Sequence, residues 1–144
     1  ELVTAAVRSI RGAADDDSVL VLRHDSGVMS YLSASAVVGA PGPRIRILGS
    51  KGALVINDLD PQEALLRAGK YPVGAVWSEP TTSAAFIHRG TEIEEIKGVP
   101  GNYALFYSAV ASAISNGTPW PISNDDALLV ASIIDQARII GTHA

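Results

Sequence analysis

The order of the periodicities constrains this chain more than any single residue does. Segments that alternate every second residue come first, and segments with a helical repeat come last. Residues 2–11 are rich in β-formers and stop at Gly12. Residues 19–22 form a short apolar run, suited to a well-buried strand. Asp25-Ser26-Gly27 carries a hairpin signal, with glycine able to take positive φ. Residues 28–35 then alternate, as do residues 44–48. Between them Gly39-Ala40-Pro41-Gly42-Pro43 suits neither a helix nor a central strand. Gly49-Ser50-Lys51-Gly52 turns the chain into a further strand at residues 53–56.

A different pattern follows. Asp60-Pro61-Gln62-Glu63 reads as a helix start, and the helix ends by Gly69. Residues 70–84 read as a loop, and residues 86–96 as a hairpin around Gly90. Two stronger helices close the chain. In residues 102–116, Tyr103, Phe106, Tyr107, Val110 and Ile114 form an apolar stripe, and Gly117 is the stop. Ser123 and Asp126 have capping-box spacing. The helix after them is apolar around most of its circumference, so burial on several sides is expected.

Strands first and helices last predict an α+β fold: an open, largely antiparallel sheet of about six strands, with the C-terminal helices packed on one face. Two helices cover one face of such a sheet. The other needs a partner if its side chains are apolar. Composition agrees. Of 144 residues 47% are hydrophobic and 18% charged, enough apolar material for one core and for exposed apolar surface.

Several functional classes are disfavoured. The net charge of −4 and scattered basic residues argue against nucleic acid. No apolar run approaches the roughly 20 residues that span a bilayer. The chain has no cysteine, so thiolate metal sites and cysteine nucleophiles are excluded, and a cytoplasmic location is expected. His24, His88 and His143 form no metal-ligand spacing. Asp15-Asp16-Asp17 reads as a solvated turn, and Glu94-Glu95 as a solvated strand edge. Neither glycine-rich turn has the G-x-G-x-x-G pattern that opens a helix on a dinucleotide. A serine hydrolase has no motif in its favour. Tyr103 and Tyr107 sit on the apolar helix stripe, where core packing is the default, while Trp77 falls in the loop and is less explained.

Certain segments go further. Gly101-Asn102-Tyr103 with Phe106-Tyr107, then Ala113-Ile114, Gly117, Pro119, Pro121 and Asp126-Ala127, resembles the closing segment of the Gfo/Idh/MocA oxidoreductases. Residues 44–52, with their paired glycines, resemble that family's strand-turn-strand. Asp58-Leu59-Asp60-Pro61-Gln62-Glu63 and Trp77-Ser78-Glu79-Pro80 resemble its scyllo-inositol dehydrogenase-like branch.

The resemblance implies a two-domain enzyme: an N-terminal Rossmann domain binding NAD or NADP, and a C-terminal domain whose open sheet often forms the dimer interface. The family's acid/base groups are a Lys in Glu-Lys-Pro and an Asp and a His on a helix before the sheet. Glu-Lys-Pro does not occur here, so no catalytic, cofactor-binding or metal-binding residue is assigned. The start within a strand, without an initiator Met, is read as that of a fragment, with residues 1–144 a single substrate and oligomerisation domain. Its expected partners are its own Rossmann domain, a second copy, and a sugar or cyclitol in the parent enzyme. Trp77 and Tyr103 are the candidate substrate contacts. Tyr31, Ser33, Arg44 and Arg46 are the candidate sheet-face residues for self-association, although pattern alone does not fix which face is buried. The alternative is a non-catalytic binding or dimerisation module with the same fold.

Overall fold

The computed structural model describes residues 1–58, 62–71, 85–97 and 101–141. In chain order the elements are β1 (Leu2–Arg8), β2 (Asp17–Arg23), β3 (Met29–Ser35), β4 (Ile45–Gly49), β5 (Gly52–Ile56), α1 (Gln62–Arg67), β6 (Ala85–Arg89), β7 (Glu92–Ile96), α2 (Tyr103–Asn116) and α3 (Asn124–Gly141). All strand pairings among the described residues are antiparallel, so the α+β expectation holds. The described strands number seven, in a three-stranded sheet β1-β2-β3 and a four-stranded sheet β4-β5-β6-β7. The Pro41 and Pro43 stretch lies between the two ladders, and proline cannot donate to either. The chain divides into two compact units, Glu1–Ala40 with Ile122–Ala144, and Pro41–Pro121.

In the first unit β1, β2 and β3 form a meander. Asp25-Ser26-Gly27 makes the β2–β3 turn, where the His24 N–H donates to the Val28 carbonyl at 2.9 Å. Helix α3 packs on β1. Its first turn is capped by the Ser123 side chain. The Asp126 N–H donates to Ser123 Oγ at 3.1 Å, and the Ser123 hydroxyl donates to Asp126 Oδ2 at 2.6 Å. Ala137 and Gly141, one turn apart, are the buried residues of this helix, and Ala5 is buried on β1. Small residues here let helix and strand backbones approach closely.

The register fixes which side of this sheet is which. Val7, Ser18 and Ala34 share one face, as do Ala5, Leu20 and Leu32. A β-carbon on Gly141 would lie 2.9 Å from Val7 Cγ2, so α3 covers the face that carries the Val7 side chain.

In the second unit the four strands run as consecutive hairpins. At the β4–β5 turn Gly52 has φ 154°, and a β-carbon there would lie 2.6 Å from the His88 carbonyl oxygen. This position needs glycine for space as well as for backbone conformation. Helix α2 begins at Asn102, whose Oδ1 accepts the Leu105 N–H at 3.3 Å, and ends at Gly117. The buried Gln62, 2% exposed, accepts the Tyr103 N–H on its Oε1 at 3.1 Å and so joins the starts of α1 and α2. An otherwise unbonded helix N-terminal donor is thereby satisfied from a distant side chain.

The apolar side chains expected inside lie largely outside. On α2, Tyr107 is 68% and Ile114 71% exposed, and only Ala113 is buried. On α3, Leu128 and Ile139 are 67% and 68% exposed. The reading of Tyr103 and Tyr107 as core residues, and of α3 as buried on several sides, is therefore corrected. Helical periodicity marks where apolar side chains gather, but not whether anything covers them. The cap assigned to Asp60 and Pro61 lies outside the described residues.

Candidate functional site

The sequence candidates fall into different parts of the molecule. Tyr31 and Ser33 are neighbours on one face of β3, opposite Val21 and Val19 of β2. Alternation places them on the side away from Val7, and therefore away from α3. Tyr31 is 75% exposed and Val19 is also exposed. This is a mixed aromatic and aliphatic face that the helix of its own unit leaves open.

Arg44 and Arg46 belong to the second unit. Arg44 lies just before β4, whereas Arg46 is within it and exposed. Arg46 is aligned with Val55, Phe86 and Glu95 in a single cross-strand row. The neighbouring row on the same face is Leu48, Ala53, His88 and Ile93. The other face carries Ile47, Leu54 and Ile87, which with Ser50, Lys51 and Arg89 line a shallow open depression of about 380 Å3. Both faces of this sheet therefore have exposed apolar side chains.

Tyr103, half-exposed, is the first residue of α2. Its backbone is fixed by Gln62, and farther along α2 the Phe106 and Tyr107 rings meet edge to face at 5.5 Å. Trp77 lies outside the described residues. Gln62 and Asn102 were not singled out as structural residues by the sequence. An asparagine just before an apolar-periodic run is a capping signal that identifies Asn102. Nothing in the sequence pattern points to Gln62, because its partner is 41 positions away.

Among the described residues, the titratable groups that depart from ordinary values are held by structural partners. Asp16 is held below the usual aspartate range, chiefly by the Ile10 N–H that donates to its Oδ1 at 2.8 Å and further by Arg11. Asp17 is lowered by a hydrogen bond from Ser35 and by the Arg8 guanidinium. Glu1 is lowered by its hydrogen bond and ion pair with Arg23. Carboxylates held ionised in this way are poor proton acceptors near neutrality. Arg138 of α3 reaches Asp15 at 3.3 Å and ties the helix to the β1–β2 connection. Among the described residues no three His, Asp or Glu side chains gather as a metal-ligand set. No described helix is long and apolar enough to cross a membrane.

A dinucleotide does not fit the Gly49–Gly52 turn. Gly49-Ser50-Lys51-Gly52 joins two antiparallel strands, whereas a pyrophosphate cradle opens a helix after a parallel strand.

Comparison with known proteins gives this architecture a family. Residues 2–138 match the sequence model of the oxidoreductase family's C-terminal alpha/beta domain, Gfo/Idh/MocA. The chain belongs to this family. It is 30% identical over 143 residues to scyllo-inositol 2-dehydrogenase (NADP(+)) IolW of Bacillus subtilis strain 168, covering 94% of this chain and 39% of that protein. It is 29% identical over 107 residues to the uncharacterized oxidoreductase YdgJ of Escherichia coli K12, covering 72% of this chain and 31% of that protein. The solved structure of YvaA from Bacillus subtilis superposes with a TM-score of 0.81 at 28% identity, over 99% of this chain and 43% of that one. The chain thus spans well under half the length of these relatives. The resemblance of residues 44–52 and 101–127 to the Gfo/Idh/MocA oxidoreductases is borne out.

Proposed function

We propose that this chain is the substrate-side and assembly domain of an NAD(P)-dependent oxidoreductase acting on a sugar or cyclitol. The observation that carries the reading is the match to IolW, which extends over nearly all of this chain and 39% of that enzyme. The remainder of the parent protein would supply a Rossmann domain, the nicotinamide cofactor and the acid/base groups. That division agrees with the structural pairs that engage the shifted carboxylates among the described residues. The full enzyme would work in the cytoplasm, and this domain alone would not turn over substrate. Tyr103, half-exposed at the start of α2, is the described aromatic best placed to offer a ring and a hydroxyl to a polyol. The exposed sheet faces would serve assembly.

The test is reduction of NAD+ or NADP+ by the full-length protein, followed by nicotinamide absorbance with a panel of inositols and aldoses. Turnover with at least one polyol is expected. Inertness toward the whole panel with both cofactors would remove the reading.

A further inference from the structure

Among the described residues Gln62 is the only polar residue that is fully buried, at 2% exposed. Burying an amide costs free energy unless it is hydrogen-bonded, and an apolar residue of the same length would fill the space without that cost. The bond it makes is to backbone: its Oε1 accepts the Tyr103 N–H at 3.1 Å, from 41 positions away in the chain. Helix α2 already has a cap of its own, because Asn102 Oδ1 accepts the Leu105 N–H at 3.3 Å. What the Gln62 bond adds is a fixed position for Tyr103 itself. That residue is the first of the helix, where helices ordinarily fray.

Tyr103 differs in this from the other exposed aromatic residues. Tyr31, Tyr107 and Trp120 are more exposed, and among the described residues none is held by a buried side chain. Tyr103 combines a ring 42% exposed with a backbone held from inside the fold. A contact group that is ordered before its ligand arrives spares the ligand the cost of ordering it. We propose that Gln62 is a positioning residue for the polyol: through the Tyr103 backbone it presets the aromatic ring that contacts the substrate. Gln62 itself touches neither substrate nor cofactor, and its effect is on substrate affinity. The inference rests on the oxidoreductase reading and on Tyr103 as its substrate contact, and deepens that reading by assigning the residue that holds the contact in place.

Steady-state kinetics of the full-length protein, with a polyol that it oxidises, test this, and circular dichroism checks folding. Gln62→Met keeps the length of the side chain and removes the acceptor. It should raise KM for the polyol about five-fold, the effect of leaving one contact side chain to be ordered on binding. Both kcat and KM for the nicotinamide cofactor should stay at wild-type values, the pattern of a lost contact shared by ground and transition states. Gln62→Glu, which keeps an oxygen in the same place, should return the polyol KM to near wild type. Tyr103→Ala, at a half-exposed position, should raise it at least as far as Gln62→Met does. In the Tyr103→Ala background Gln62→Met should leave KM unmoved. The backbone N–H still loses its partner there, so a purely structural effect persists, but no ring remains to be positioned. Four results would overturn the proposal: an unchanged polyol KM in Gln62→Met, no recovery in Gln62→Glu, an unchanged KM in Tyr103→Ala, or a further rise from Gln62→Met in the Tyr103→Ala background. Any of these alongside wild-type turnover removes this inference alone. A wild type inert toward every polyol removes the oxidoreductase reading, and this inference with it.

Discussion

Gly141 lies so close to Val7 that a β-carbon on the helix residue would sit 2.6 Å from the strand residue's backbone nitrogen. No side-chain rotation relieves a contact with backbone, so this distance sets how near α3 can lie to β1. Ala137 of α3 and Ala5 of β1 are also buried.

Gly141→Ala should therefore push α3 away from the sheet. Overpacking of this kind costs about 1–3 kcal/mol. Chemical denaturation of the variant is expected to show a loss in that range. A variant as stable as the parent would mean that the helix end yields freely, and that the seam is not a fixed contact.

A second expectation concerns Gln62. Its buried Oε1 accepts the Tyr103 N–H, so Gln62→Leu leaves that donor without its partner. An unsatisfied polar group of this kind costs about 1–3 kcal/mol. Amide hydrogen exchange at Tyr103 should accelerate in the variant. Unchanged exchange and stability would assign the start of α2 to Asn102 alone.

The acid response should follow Asp16. Its folded pKa lies below the ordinary 3.8, mainly because the Ile10 N–H donates to the carboxylate. The resulting stabilisation is fully present above that ordinary value, and is lost as pH falls through the lower folded pKa. Asp16→Asn should be less stable than the parent at neutral pH, with a smaller further loss as the solution is acidified below about pH 4. Denaturation curves across that range would decide it, and parallel acid profiles for the two proteins would count against the assignment.

What the sequence revealed and what it concealed divide along a physical line. Local chemistry was legible. The Asp25-Ser26-Gly27 turn, the Ser123 cap of α3 with its bond to Asp126, and the Gly117 stop of α2 each depend on neighbours a few residues away. The antiparallel strands, about six expected and seven described, and the late helices followed from period, while their division into two sheets did not. Facing was not legible, because a period-two pattern is unchanged when the sheet is turned over. It took the approach of Gly141 to Val7 to place Tyr31 and Ser33 on the uncovered side. Coverage was not legible either. Tyr107 and Ile114 repeat as core residues do and stand exposed, because helical periodicity records where apolar side chains gather and not what covers them. The Gln62–Tyr103 bond is not legible in the sequence because it joins residues far apart along the chain, one of them an ordinary glutamine.

The central claim is that this domain shapes and assembles an oxidoreductase while the redox groups reside elsewhere in the parent protein. The most direct measurement compares the full-length protein with residues 1–144 alone, following nicotinamide reduction with an inositol panel and both cofactors. The account predicts turnover by the full-length protein and none by the isolated domain. Turnover by residues 1–144 alone would contradict it.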